Sequence, residues 1–160
     1  MLKPALLYKE ELNTKFIEQL YSPDYFFYIG CDGTWVPEIQ AEEGSYQYAI
    51  LDKDEQVIGY FAYNINHFND TVHNFGLFSF DKGNPIIGIV LIKKMKELIK
   101  YHRRIEWRMI AGNPVKRHYD KFCKRYNGNI VCLHDVTKNL QGQYVDEYIY
   151  EIINKNIVKT

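Results

Sequence analysis

The stretch from 71 to 128 constrains the fold of this 160-residue chain more than any other part of its sequence. An apolar run over 72–80 leads through the glycine-containing turn 81–84 into a helix that begins at Pro85. A strand over 105–110 and a second helix are predicted next. A strand that enters a helix through such a turn leaves backbone N–H groups free at the helix start. The sequence therefore predicts an anion site here, and phosphate is the usual anion.

Helical spacing of apolar residues predicts the two helices of this stretch. The first runs from Pro85 to about Tyr101, and its apolar face consists of Ile87, Leu91, Met95 and Leu98. Asn113 is typical of a helix N-cap, Pro114 of the first helical position, and Gly128 of the residue after a helix end. The second helix then carries its own apolar stripe, formed by Val115, Tyr119, Phe122 and Tyr126.

The remaining elements are predicted by the same rules: helices over 9–21 and up to 28, a loop over 30–44, and strands over 46–51, 56–66, 130–136 and 143–152. The order is helices, three antiparallel strands, helix, strand, helix and two strands. This order predicts an α/β fold of the α+β type, in which helices flank both faces of a mixed, mostly antiparallel sheet. Residues 1–160 are expected to form one domain, because no linker or repeat divides the chain.

Charge and composition exclude several classes of protein. Twenty lysines and arginines balance twenty acids, so the net charge gives no reason to expect a nucleic-acid partner. The most apolar run, 85–92, is too short to cross a membrane, and the first ten residues do not read as a signal peptide. Three cysteines without a CxxC pair favour a reducing compartment, which predicts a cytoplasmic protein. Five histidines and three cysteines show no zinc-ligand spacing, so no metal is expected.

A homodimer is a further hypothesis, in which the tyrosine-rich last strand, 144–150, pairs with a second subunit.

The element order and its turn residues resemble the GNAT superfamily of acyl-CoA-dependent N-acyltransferases. The segment from Asn113 to Phe122, with Tyr119 in the helix, matches the later motif of the family. The earlier motif, Gln/Arg-x-x-Gly-x-Gly/Ala, aligns with 83–88, where only Gly88 matches. The resemblance implies acetyl-CoA as co-substrate and no metal. It also implies a cofactor site built from a strand, the start of the central helix and the later motif: Phe78, Ser79, Phe80, Lys82, Gly83, Asn84, Ile86, Ile87, Gly88 and Asn113. In this mapping the N–H of Phe78 stabilises the oxyanion.

Two catalytic residues follow from the same resemblance. Tyr119 takes the place of the general acid for the leaving thiolate, although its position on an apolar stripe is equally typical of a core residue. His73 lies where the family often places a base, and an imidazole with a pKa near 6.5 suits amine deprotonation. A lone histidine in a strand is also a common surface residue. His67, Glu106 and Glu43 are further candidates for the base.

The function implied is direct transfer of an acetyl group from acetyl-CoA to a primary amine of a small molecule or peptide within a ternary complex. The changed early motif favours an alternative, a GNAT fold that binds acyl-CoA or a protein partner without catalysis. Four aromatic residues are candidates to line an apolar acceptor pocket or simply to cover the sheet: Tyr25, Phe26, Tyr28 and Trp35.

Overall fold

The computed structural model of the chain describes residues 1–29 and 36–157. The loop predicted over 30–44 therefore lies partly outside the described residues, and Trp35 lies outside them altogether. None of the helices within the described ranges combines the length and apolar character that a membrane crossing requires.

Seven strands form one sheet, and helices cover both of its faces. The elements are β1 Leu2–Pro4, a 3₁₀ turn Ala5–Tyr8, α1 Lys9–Gln19, α2 Tyr25–Ile29, β2 Ser45–Leu51, β3 Val57–Asn66, β4 Thr71–Ser79, α3 Pro85–Tyr101, β5 Arg104–Ile110, α4 Lys116–Arg125, β6 Asn129–Lys138 and β7 Tyr144–Ile153. The strand order is β1-β2-β3-β4-β5-β7-β6. Only β4 and β5 are parallel, and every other neighbouring pair is antiparallel. The fold class predicted from the sequence is confirmed.

The two faces of the sheet carry separate hydrophobic cores. On one face, the apolar stripes of α3 and α4 pack on β3, β4, β5 and β7 around the buried Trp107 and Met95. On the other face, α1 and α2 pack on β2, β3 and β4 around Phe16 and Tyr25. The apolar face predicted for α3 is buried throughout, and so are Tyr119 and Phe122 of α4. Among residues 1–29 and 36–157, the core on the α1–α2 face ends at β4 and does not extend over β5 and β7.

Both ends of α4 differ from the sequence prediction. The helix begins at Lys116, not Pro114, because the Asn113 side chain accepts the N–H of Val115 at 3.1 Å and forms a separate turn ahead of the helix. At the other end, Asn127 is the residue with the left-handed backbone, at φ 51°. The N–H of Gly128 donates to the carbonyl of Cys123 at 2.9 Å. Asn127 therefore occupies the C′ position that the sequence assigned to Gly128.

The last strand is not available to a second subunit. β7 lies inside the sheet, with β5 on one side and β6 on the other. Its backbone hydrogen bonds are therefore already used within the chain. The hypothesis of a dimer paired through 144–150 is wrong, because the edges of this sheet are β1 and β6.

A β-bulge marks the point where β4 leaves β5. Ala62 of β3 pairs with Gly76 and Asn64 pairs with His73, so β4 holds one extra residue across this interval. Asn74 within it has a positive φ of 50°. A bulge bends its strand and increases its twist. The bend follows Val72, the last residue of β4 that pairs with β5.

Replacement of Asn74 tests this bulge. Valine at a positive φ brings its branched Cβ against the backbone, so Asn74→Val is expected to lower the free energy of unfolding by about 1–2 kcal/mol. Asn74→Gly is the matched control, and its effect is expected within about 0.5 kcal/mol because Asn74 is exposed. Urea unfolding of both variants measures the difference. Equal losses would contradict the assigned backbone conformation.

Candidate active site

The candidate site lies where the two parallel strands part. Only two residue pairs join β4 to β5 in the described chain, Thr71 with Arg104 and Val72 with Ile105. Beyond them β4 stays paired with β3 to Ser79, and β5 stays paired with β7 to Ile110. The facing edges of the two strands therefore carry backbone N–H and C=O groups without a strand partner. Such edges accept an extended ligand as they would accept another strand.

Two adjoining cavities open along this gap. We call the first the strand cleft; its volume is about 570 Å³, and its lining is Tyr28, Asn74, Phe75, Gly76, Arg104, Glu106, Trp107, Arg108 and Ile149. We call the second the polar hollow; its volume is about 610 Å³, and its lining is Asn66, Asn69, Thr71, His73, Arg103, Arg104, Glu106 and Ile153. Arg104 and Glu106 line both cavities. They stand at the junction, beside the last pair of β4 and β5.

The junction carries a charged network on the open face of β5 and β7. Arg104 donates to Glu106 through Nε at 3.1 Å and Nη2 at 2.9 Å, and its Nη1 lies 2.6 Å from Oε2 of Glu151. Alternation along β5 and β7 places these side chains on the same face of the sheet. One guanidinium thus faces two carboxylates, while Arg103 in the polar hollow and Arg108 in the strand cleft add positive charge beside it. The junction therefore combines charges of both signs.

Trp107, a residue that lines the strand cleft, has a buried hydrogen-bond donor in the core under α3 and α4. Its side chain is 2% exposed and stacks on Tyr150 with ring centres 5.0 Å apart, yet Nε1 has no partner among the described residues. A buried donor without a partner costs about 1–3 kcal/mol, so such groups are rare unless a ligand or water satisfies them. Alternation predicted that Trp107 is buried. The sequence carried no sign that its N–H lacks a partner, because that depends on packing.

Strand alternation determines which main-chain N–H groups of β4 face the gap, and they are not the ones expected from the sequence. The N–H of Phe80 donates to the carbonyl of Ile58 on β3 at 2.9 Å. Alternate residues of a strand point their N–H groups to the same side, so the N–H of Phe78 also points to β3. The N–H groups of Leu77 and Ser79 point to the open edge. The N–H of Phe78 therefore does not face the gap, contrary to the expectation of an oxyanion donor there.

The side chains of the predicted strand segment lie away from the gap. Phe78 and Phe80 belong to the core under α1 and α2, where both rings contact Phe16. The Ser79 hydroxyl donates to the carbonyl of Asp81 at 2.8 Å and shapes the turn into α3. Of the three residues predicted here, only Ser79 directs its main-chain N–H to the gap.

The start of α3 is capped by its own turn. Asn84 Oδ1 accepts the N–H of Ile86 at 3.0 Å, the Asn84 carbonyl accepts that of Ile87 at 3.2 Å, and the N–H of Asn84 donates to Asp81 at 3.2 Å. Pro85 has no N–H. Three of the amides predicted to grip a pyrophosphate thus have partners within the turn. An anion at Ile86 has to displace the Asn84 side chain.

The surroundings of this helix start are open but carry mixed charge. Gly83 and Gly88 are exposed, and a Cβ built on either meets nothing within 4 Å. Lys82 forms an ion pair with Asp24, ahead of α2. The Asp81 carboxylate accepts from Asn84 Nδ2 at 2.7 Å, which brings a negative charge to the same turn. The helix start is thus open at these two glycines, while the predicted cation, Lys82, is already paired.

The two predicted catalytic residues lie in different parts of the site. His73 is half-buried and lines the polar hollow. Tyr119 is buried behind Trp107, with ring centres 5.7 Å apart, and Trp107 rather than Tyr119 lines the strand cleft. Burial raises the pKa of Tyr119 above its ordinary value, which makes it a weaker acid toward a thiolate. Asn113 serves the turn before α4, and Glu106, a minor candidate from sequence, stands at the centre of the site.

The comparisons with known proteins identify the fold. Neither a scan against protein-family models nor a search of curated proteins finds a match to the chain. Spermidine N-acetyltransferase from Vibrio cholerae, solved with CoA and spermine, superposes with a TM-score of 0.65 at 13% identity, covering 96% of this chain and 94% of its own. A GCN5-related N-acetyltransferase from Brucella melitensis gives 0.63 at 16% identity, covering 95% and 74%. A protein provisionally assigned as a phosphinothricin N-acetyltransferase gives 0.70 at 12% identity, covering 96% and 97%. The chain has the GNAT fold, as its element order and later motif implied.

Proposed function

We propose that the protein transfers an acetyl group from acetyl-CoA to a primary amine, and that the gap between β4 and β5 is the site of transfer. One observation carries the proposal: the strands separate after two pairs and leave a cleft with open backbone edges and a carboxylate at its inner end. The GNAT fold of the structural neighbours, one of them solved with CoA, supports this reading of the gap.

The open edge of β4 is the proposed seat of the pantetheine arm. The amides of the pantetheine arm pair with the backbone of β4 as an added strand would. The N–H groups of Leu77 and Ser79 are the donors that β4 offers. The chain then runs toward α3, where the exposed Gly83 and Gly88 leave room for the pyrophosphate. Displacement of the Asn84 side chain frees the N–H of Ile86 for a phosphate oxygen, and the helix dipole favours that exchange. The thioester lies deeper, beside Trp107.

The chemistry at the thioester follows from the groups around it. The amine nitrogen attacks the carbonyl carbon, the C–S bond breaks, and the coenzyme leaves as a thiolate that is then protonated. Glu106 is placed to accept the amine proton, directly or through water, because it lines both cavities. The unpaired N–H of Trp107 is a donor for the carbonyl oxygen as charge develops on it. His73, in the polar hollow, contacts the distal part of the acceptor.

Trp107→Phe tests the role assigned to the indole N–H. The variant keeps an aromatic ring against Tyr150 but lacks the donor, so kcat/KM for acetyl-CoA is expected to fall about tenfold. Tyr126→Phe is the matched control, since it removes the hydroxyl of an aromatic residue that directly follows α4 and lines neither cavity. Steady-state kinetics measure both. An unchanged kcat/KM in a folded Trp107→Phe protein would exclude this donor.

Two measurements test the proposal as a whole. Acetyl-CoA at saturating concentration is expected to raise the melting temperature, because it binds only the folded state. Thiol release is then followed with a panel of amines: spermidine, a small alkylamine and a peptide with a free amine. Spermidine is included because a structural neighbour is named for it. Absence of both a thermal shift and thiol release would contradict the proposal.

A second function is favoured by the start of α3. Its amides are capped by Asn84, and Asp81 adds a negative charge where a pyrophosphate would lie. A GNAT fold that binds acyl-CoA without transferring the acyl group would give a thermal shift with no thiol release by any amine. Thermal shift and thiol release together separate this function from the enzyme.

A further inference from the structure

Three potential metal ligands converge on the β6–β7 hairpin, away from both cavities. Cys132 Sγ lies 3.4 Å from Asp146 Oδ2 and 3.7 Å from His134 Nδ1. His134 Nδ1 lies 3.3 Å from the same Asp146 oxygen. A thiol, an imidazole and a carboxylate thus form a triangle that none of the groups argued to bind acyl-CoA shares.

The register of the hairpin builds this triangle. Cys132 and His134 are two apart on β6, so they lie on one face of the sheet. Cys132 pairs with Tyr148 and Leu133 with Glu147, which places Asp146 opposite the next position of β6. The bulge between Leu133 and Thr137 follows directly, and the N–H of Asp135 within it donates to Asp146 Oδ1 at 3.2 Å. This hydrogen bond orients the carboxylate and leaves Oδ2 facing the other two ligands.

The triangle has the dimensions of a tetrahedral metal site. Zinc bonds to nitrogen and oxygen are about 2.0–2.2 Å and to sulfur about 2.3 Å, which puts tetrahedral ligands about 3.3–3.7 Å apart. The three observed separations of 3.3, 3.4 and 3.7 Å match this spacing. A point at bonding distance from all three atoms therefore exists with little movement of the side chains.

The charges around the triangle also suit a divalent cation. A thiolate and a carboxylate together supply two negative charges, which balance the ion. The nearby cation, Lys116 of α4, is paired with Asp120 at 2.8 Å and lies over the ring of Tyr148 at 4.3 Å. Its charge is thus offset by a partner of its own. His134 is exposed, so the open side of the triangle admits an ion from solvent.

We propose that Cys132, His134 and Asp146 bind one Zn²⁺ ion in a three-ligand site with an open fourth position. The mixed sulfur, nitrogen and oxygen set favours zinc over magnesium or calcium, which take oxygen ligands. Bound to both strands, the ion joins the middle of β6 to the beginning of β7. Asp146 also accepts the N–H of Ala111 through its carbonyl at 2.8 Å, so the site is connected to the end of β5. The proposal departs from the expectation of no metal, because cross-strand pairing creates a spacing that the linear sequence does not display.

Cobalt titration of the full chain, stripped of metal with a chelator, tests this site. One Co²⁺ per chain is expected to give a thiolate-to-cobalt charge-transfer band and the strong visible bands of four-coordinate cobalt. Zn²⁺ added afterwards is expected to abolish both. Cys132→Ser is expected to remove the charge-transfer band. His134→Asn and Asp146→Asn are each expected to weaken Zn²⁺ binding at least about tenfold.

Asp135→Asn is the matched control. It makes the same exchange of aspartate for asparagine as Asp146→Asn, but Asp135 contacts the triangle only through its backbone N–H. The backbone of Asp135 has a positive φ of 54°, which asparagine also tolerates. Its cobalt spectrum and zinc affinity are expected to equal those of the unmodified protein, with all variants shown folded by circular dichroism. The proposal is overturned by absence of a cobalt spectrum at excess metal. A charge-transfer band that persists in Cys132→Ser overturns it equally, because the ligand is then another thiol.

Discussion

Replacement of Glu106 by glutamine is expected to lower kcat/KM for the amine about 100-fold or more while leaving the fold intact. Glutamine keeps an oxygen for the hydrogen bonds that Arg104 donates, but it cannot accept the amine proton. Affinity for acetyl-CoA in the absence of amine is expected to change little, since the proposed coenzyme site consists of main-chain groups of β4 and the start of α3. Stopped-flow or steady-state thiol release measures the first quantity, and calorimetry the second.

Glu147→Gln is the control for this variant. Glu147 lies on β7 and pairs with Arg108 at 3.5 Å, but it lines neither cavity. Its replacement is expected to leave kcat/KM within about threefold of the parent, because one partly exposed ion pair contributes little. Similar activities in the two variants would remove Glu106 from the mechanism and return attention to His73.

Among the substitutions proposed for this protein, Gly128→Ala is expected to lower the free energy of unfolding most, by about 3 kcal/mol or more. A Cβ at this position would lie 2.5 Å from Cys123 Sγ and 2.5 Å from the carbonyl oxygen of Glu151. The oxygen belongs to β7, which is paired on both sides and cannot move aside without breaking the sheet. The loss is measured as the change in the free energy of unfolding in urea.

The matched control for Gly128 is Gly88 in α3. A Cβ there meets nothing within 4 Å, and alanine has the higher helix propensity. Gly88→Ala is therefore expected to raise the free energy of unfolding by up to about 1 kcal/mol. An equal decrease in the free energy of unfolding in both alanine variants would contradict the close contact between β7 and the residue that follows α4.

Periodic patterns and turn residues predicted most of the fold. The start of α3 at Pro85 and its buried face follow from the capping residue and from apolar spacing, which act over a few neighbouring residues. β1 was missed because a three-residue edge strand carries no periodicity. The sequence predicts the start of α4 two residues early, because Asn113 caps a turn that precedes the helix. The position of β7 inside the sheet depends on pairing between distant segments.

Less of the candidate site than of the fold could be predicted from the sequence, because the site also depends on pairing between distant segments. The resemblance indicated β4 and the α3 turn, but strand alternation and the capping bond of Asn84 change which amides are available. The central position of Glu106 follows from the separation of β4 and β5 beside it, which local sequence patterns do not encode. That the Trp107 N–H has no partner in the described part of the chain depends on long-range packing.

The central claim, that the gap between β4 and β5 holds the coenzyme, is tested most directly by a crystal structure of the protein with CoA. The account predicts the pantetheine arm between the two strands, with its amides hydrogen-bonded to the main chain of Leu77 and Ser79 and its sulfur near Trp107. The pyrophosphate is expected at the start of α3 with the Asn84 side chain displaced. Coenzyme bound elsewhere on the surface, or a gap that stays empty at saturating CoA, would contradict the account.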